Sequence, residues 1–239
     1  MKLQSSRGYL AFETALFFLL NFFAAKLAGM AARALGVTLP DMPLLRHTYI
    51  AFATIIMLML WLRWRGEGLA KFGLVRPRFR DLALGLALAV AALALDSVVR
   101  SVTTPLIVAW TGANPHLDQQ TFAALRGDLG AYLIVIPSVW LFAALGEEFL
   151  FRGYLLTRLA EIFGRSRTAW ALAIVGQAAA FALSHWYQGP VGMVPIGIGA
   201  VLTGIVTTAW GRNLWPAIIA HGLIDTLGFT MLYLGIPLS

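Results

Sequence analysis

The sequence predicts an all-α, polytopic transmembrane helix bundle of about seven spans (six to eight), forming one integral membrane domain over 1–239. Three observations predict it. Of the 239 residues 59% are hydrophobic, and the mean hydropathy is +0.78, well outside soluble composition. Several stretches of about 18 or more residues carry almost no charge, which suits the ~20-residue helix that crosses a hydrocarbon core ~30 Å thick. No segment alternates apolar and polar residues as the strands of a membrane barrel do.

In chain order the expected spans are 9–32, 48–64, 82–110, 130–163, 168–187, 191–210 and 214–236. The first follows Lys2 and Arg7 like a signal peptide. It is longer than a usual h-region and lacks a small-x-small cleavage pattern, so it reads as a first anchor. After the second span, Arg63, Arg65, Lys71, Arg76, Arg78 and Arg80 crowd one connection, which reads as a cytoplasmic loop. In the third, Ala83, Ala87 and Ala91 form a small-residue stripe suited to close helix packing; Gly192, Gly197, Ala200 and Gly204 do the same in the sixth. The fourth, at ~50 Å of helix, is too long for a simple crossing, and Pro137 and Gly146 are its expected kinks.

Of the 18 Lys and Arg residues, 12 fall on the side of the N-terminus and 4 on the other, which places the N-terminus in the cytoplasm. The net charge of +7 is therefore a topology signal, and no nucleic-acid partner is expected. Without cysteine the chain has no disulfide, thiolate nucleophile or thiolate metal ligand. That absence and the compact loops fit a bacterial inner (plasma) membrane.

A charged side chain at membrane depth costs at least a few kcal/mol, so ionisable residues inside spans mark where function is to be sought. They are Glu13, Lys26, Asp96, Glu147, Glu148, Arg152, His185, His221 and Asp225. Glu13, Lys26 and Asp96 stand alone and read as structural. Glu148 and Arg152, four apart, are ordered for an ion pair on one helix face, which leaves Glu147 for another partner. Asp225, four after His221, can fix the imidazole tautomer or share a metal with it. An antiparallel hairpin pivoting at Ser166 sets Glu147 level with His185, where the two are expected to meet. His221 lies only ~14 Å from the turn near Arg212, against ~25 Å for that layer. The last turn must therefore sit deeper, or the fourth helix must project past it.

Two chemistries suit this set. Glutamate and histidine can activate water, with His221 donating to an oxyanion. Alternatively Glu147, His185 and His221, with or without Asp225, can ligate a divalent metal such as zinc and leave a position for water.

Glu147-Glu148-Phe149-Leu150-Phe151-Arg152 resembles the EExxxR motif of the CAAX prenyl endopeptidase and bacteriocin-processing (CPBP, Abi) family of intramembrane proteases. Phe181-Ala182-Leu183-Ser184-His185 resembles its FxxxH, and His221-Gly222-Leu223-Ile224-Asp225 its Hxxx(N/D). Phe72-Gly73-Leu74 is similar to its juxtamembrane loop. The resemblance covers 130–236, leaving 1–129 as N-terminal spans and basic loop. It implies a catalytic core at 130–236, an endopeptidase acting on a protein or peptide substrate in the lipid bilayer, and Glu147, Glu148, Arg152, His185, His221 and Asp225 as its site. Asp225 stands where many members have Asn, and aspartate donates to an oxyanion only when protonated. A scaffold or bacteriocin-immunity protein that binds a partner peptide through the same residues is the alternative, and a proton relay a third reading.

Overall fold

The computed structural model describes residues 6–34, 43–114 and 124–236. Seven long helices carry the chain: α1 (Arg7–Ala34), α2 (Pro43–Trp64), α3 (Phe79–Thr111), α4 (Leu129–Phe163), α5 (Arg167–Ser184), α6 (Gly189–Ala209) and α7 (Trp215–Leu234). Four stretches, namely α3, α4, α7 and α6 with the short turn before it (Trp186–Ala209), are long and apolar enough to cross a bilayer. There is no strand among the described residues. The molecule is an all-α polytopic membrane bundle.

Large apolar side chains such as Val90, Leu106 and Trp110 project outward, as lipid solvation allows. The interior is built around α4, where every residue from Glu148 to Arg158 is buried. A helix buried all round has no polar face, so its polar residues must find partners inside. Around Phe149, Leu150 and Tyr154 pack Leu58 and Leu62 of α2, Phe72 of the basic loop and Leu214 before α7.

The fourth span does not simply kink at Pro137 or Gly146. Two residues after Pro137 the helix widens into π-helix over Val139–Glu147, and again over Phe149–Leu155. Proline removes one N–H from the ladder, and the bonding beyond it shifts to longer i→i+5 closures, a winding concentrated at functional sites.

The stripe expected on α3 is corrected by the structure. Ala83, Ala87 and Ala91 are exposed, and the close approach to α7 is made at Gly85, where a Cβ would lie 2.6 Å from Ile219. Lipid-facing and protein-facing surfaces are both apolar, so spacing alone does not say which stripe turns inward. On α6 the small residues do meet a neighbour: a Cβ on Gly204 would lie 2.9 Å from Gln177 Nε2, and Gln177 itself donates to the Ala200 carbonyl at 2.9 Å.

Two turns set the depth of the site. The α4–α5 turn passes through Gly164 and Arg165 to Ser166, whose side chain caps α5 by accepting from Ala169 N. Across this hairpin Phe151 meets Phe181, with ring centroids 4.9 Å apart. The α6–α7 turn instead docks on the basic loop: Leu214 N donates to Gly73 O at 3.1 Å, and Gly73 is left-handed at φ 86. Gly153 on α4 lies against the same place, since a Cβ there would be 2.6 Å from Phe72 O and 3.2 Å from Leu214. The last turn is therefore level with Gly153, ~20 Å deeper along α4 than Ser166. Asp81 at the start of α3 holds it there, accepting from Asn213 Nδ2 at 2.9 Å and Trp210 Nε1 at 3.3 Å.

Beyond Gly153 the end of α4 forms an ionic knot. Buried Arg158 donates to Glu13 (3.1 Å), Glu67 (2.6 Å) and Glu161 (2.8 Å), while Arg65 pairs with Glu13 and Lys71 with Glu67 and Glu161. Glu13 is thus a structural residue that ties α1 to α4, and two of the basic-loop cations are held in ion pairs. Asp96 pairs with Arg100 on its own helix at 2.8 Å. The side chain of Lys26 lies outside the described residues.

Candidate functional site

The depth of the α6–α7 turn brings α7 level with the glutamate pair. Leu214 to His221 is ~10 Å of helix and Gly153 to Glu148 ~8 Å, so the two side chains meet. His221 Nδ1 lies 2.9 Å from Glu148 Oε1, and Arg152 Nη1 approaches the same oxygen at 3.1 Å. One carboxylate oxygen is shared by a guanidinium and an imidazole, in a spot where Glu148 and Arg152 are almost wholly buried. On its other side His221 turns Nε2 towards Asp225 Oδ2 at 3.5 Å.

Arg152 is oriented from two further directions. Its Nε and Nη2 donate to Thr203 Oγ1 of α6 at 3.1 and 2.9 Å, and its Cζ lies 4.0 Å from the centroid of Phe181. Phe181 is the hub of the site: its ring is 4.6 Å from that of His185 and 6.3 Å, edge-on, from that of His221. Thr203 was not among the residues singled out from sequence. Its signal was a hydroxyl within an apolar span, beside the small residues Ala200 and Gly204.

His185 closes α5 as its C-terminal cap rather than lying within the helix. Its Nδ1 is 2.9 Å from the Phe181 carbonyl, which can only accept, so Nδ1 carries the proton and Nε2 presents a lone pair. Glu147 shares this end of the site, but no hydrogen bond or ion pair joins it to His185 among the described residues. One of its oxygens, Oε2, is buried with no partner, as is Oε2 of Glu148. The expected Glu147–His185 contact assumed α-helical winding on both arms. The π-helical turns of α4 carry more residues per turn than that reading assumed. Trp140 completes the wall: its Nε1 donates to Thr226 at 3.0 Å, and its ring lies against Gly222, where a Cβ would be 2.6 Å away.

Residues 129–227 match the family model for type II CAAX prenyl endopeptidases, described as Rce1-like. Over this region the chain is similar to that family. The matched region spans α4 to most of α7 and includes Glu147, Glu148, Arg152, His185, His221 and Asp225. No curated protein and no solved structure matches the chain. Within the matched region the three sequence motifs occupy α4, the end of α5 and α7, and Phe181, Glu148 and Arg152 connect them.

Zinc on Glu147, His185 and His221 would need donors converging at about 2.0–2.2 Å. Among the described residues no three His, Asp or Glu side chains are grouped to hold a metal ion, and both ring nitrogens of His221 are turned to carboxylates. The side chains as arranged do not fit a metal.

Proposed function

We propose that this protein is an intramembrane endopeptidase that cleaves a peptide substrate with water activated by Glu147 and His185. The observation that carries the reading is the contrast between the two glutamates. Glu148 Oε1 is committed to Arg152 and His221, whereas Glu147, with its own buried Oε2, is held by no hydrogen bond or ion pair among the described residues. Such an atom is costly to retain unless a ligand or water engages it.

In the proposed reaction Glu147 takes a proton from water, which His185 Nε2 orients as an acceptor. The water oxygen bonds to the scissile carbonyl carbon, and the resulting oxyanion accepts from Nε2–H of His221. Glu148 holds His221 through Nδ1, and Asp225 beside Nε2 favours the ring form with a proton there. Collapse breaks the C–N bond, and Glu147 passes its proton to the leaving amine. Asp225 thus acts through His221 and need not itself be a donor, which accounts for aspartate in place of asparagine.

The test is cleavage of a peptide library by purified protein, with and without a chelator. Glu147→Gln and His185→Ala are expected to lose cleavage by at least 10²-fold, the size of a general acid–base contribution, with thermal midpoints near wild type. Chelation is expected to leave the rate unchanged. Full cleavage by both variants would overturn the mechanism. Loss of activity on chelation, restored by zinc, would replace it with the metal-assisted one.

A further inference from the structure

The two turns at the basic end of the bundle share a design. The α4–α5 turn runs Gly164-Arg165 and the α6–α7 turn Gly211-Arg212, with φ of 100, 61, 69 and 60. The arginines are the two non-glycine residues with positive φ among the described residues. Arginine is disfavoured in that region by contact of its Cβ with the backbone, so glycine would suit both turns better on local grounds.

Both arginines line one cavity of about 700 Å³, together with Lys71, Trp170, Thr208 and Gly211. That volume exceeds a bare ion and falls in the range of small-ligand sites. Its charge is unbalanced. In the ionic knot Arg65, Lys71, Arg158 and Arg165 share Glu13, Glu67 and Glu161, four cations to three carboxylates, and Arg212 adds a further cation to the cavity. Arg212 pairs with no carboxylate among the described residues. Its guanidinium lies 5.6 Å from the Trp170 ring, and Nη1 reaches only the Lys71 carbonyl at 3.4 Å. Arg165 and Trp170 bracket the N-terminus of α5, whose helix dipole adds to the positive potential. The cavity spans the step between the α4–α5 turn and the deeper α6–α7 turn, with Trp170 in its lining, and cationic and indole side chains concentrate at headgroup depth.

We propose that this cavity is a phosphate-binding site, filled by the headgroup phosphate of an anionic phospholipid. Arg165 and Arg212 supply planar forks that suit phosphate oxygens, Lys71 adds a third cation, and Thr208 offers a hydroxyl. A lipid bound there bridges α4, α5, α6 and the basic loop. The strained turns are retained because only a side chain, not glycine, reaches the ligand.

The experiment is thermal unfolding of the full chain in neutral detergent, titrated with phosphatidylglycerol, phosphatidylcholine or inorganic phosphate. Wild type is compared with Arg165→Gly/Arg212→Gly, which keeps the turn geometry, and with Arg63→Gln/Arg76→Gln, which removes two exposed charges at the end of α2 and on the basic loop. Phosphatidylglycerol is expected to raise the midpoint of wild type and of the Arg63/Arg76 variant. Each lost charge-assisted contact weakens binding about tenfold, so the glycine variant needs about 100-fold more lipid for the same shift. Arg212→Gln alone, expected to lose about tenfold, serves if the double variant does not fold. An unchanged lipid response in these variants, or an equal response to phosphatidylcholine, overturns the proposal. Inorganic phosphate reproducing the full shift assigns the site to free phosphate and overturns the lipid source.

Discussion

Replacing Arg158 with methionine tests whether the ionic knot at the end of α4 holds the bundle together. The guanidinium is 1% exposed and bonds to Glu13, Glu67 and Glu161, so its removal leaves three half-buried or buried carboxylates with fewer cations. Removing one partner of a buried ion pair costs about 3–5 kcal/mol. Glu67 supplies an independent measure. Burial alone would raise its carboxyl, yet hydrogen bonds from Arg158 and Lys71 hold it down at about 2 against an ordinary 4.5. That difference corresponds to about 3 kcal/mol, shared between the two cations. The remaining cost comes from Glu13 and Glu161. For a chain of this size each kcal/mol moves the midpoint by roughly 2–4 °C, so a fall of about 6–20 °C is expected at neutral pH. The assay is thermal unfolding of purified protein in detergent, with Glu67→Gln added to the Arg158→Met background. The second change is expected to recover part of the loss by removing an unpaired carboxylate. A fall of less than about 3 °C, or no recovery, would refute a stabilising role for the knot.

The same carboxyl makes stability depend on pH. Glu67 is depressed in the fold, so its contribution is complete above pH 4.5 and is lost as pH falls toward about 2; Glu67→Gln should flatten the midpoint over that window. Thr203→Val removes the acceptor of two Arg152 donors without changing size, an expected cost of about 1.5–3 kcal/mol. If Thr203 positions Glu148 through Arg152, peptide cleavage falls in kcat with KM unchanged, and Thr203→Ser restores it. Gly73→Ala forces a Cβ into a left-handed position 2.2 Å from the Arg212 carbonyl, so the midpoint should fall by the equivalent of at least about 2 kcal/mol. An unchanged midpoint would show that the basic loop does not need this docking.

The spans, the hairpin around Ser166 and the i,i+4 pairing of Glu148 with Arg152 were legible because each depends on local rules: apolar length, turn residues and helical periodicity. Glu13 was recognisable as structural, but its partners were not, since Arg65 and Arg158 come from two stretches distant from it and from each other. The inward face of α3 was misread at Ala83, Ala87 and Ala91 because lipid and protein offer an apolar helix the same kind of neighbour. Thr203 and Phe181 gained their roles only when α5 and α6 were placed beside α4.

By itself the sequence determined that the chain is a helical membrane protein, which segments are long and apolar, and which rare polar residues fall among them, because the bilayer penalises each charge separately. The tertiary structure decided which of those residues meet. The depth of the α6–α7 turn, set by Gly73, Gly153 and Asp81, carries His221 down to Glu148. Glu147 closes the first π-helical stretch of α4, and one of its buried oxygens is left without a partner. The depth of the turn depends on contacts between segments distant in sequence, and no local period encodes it.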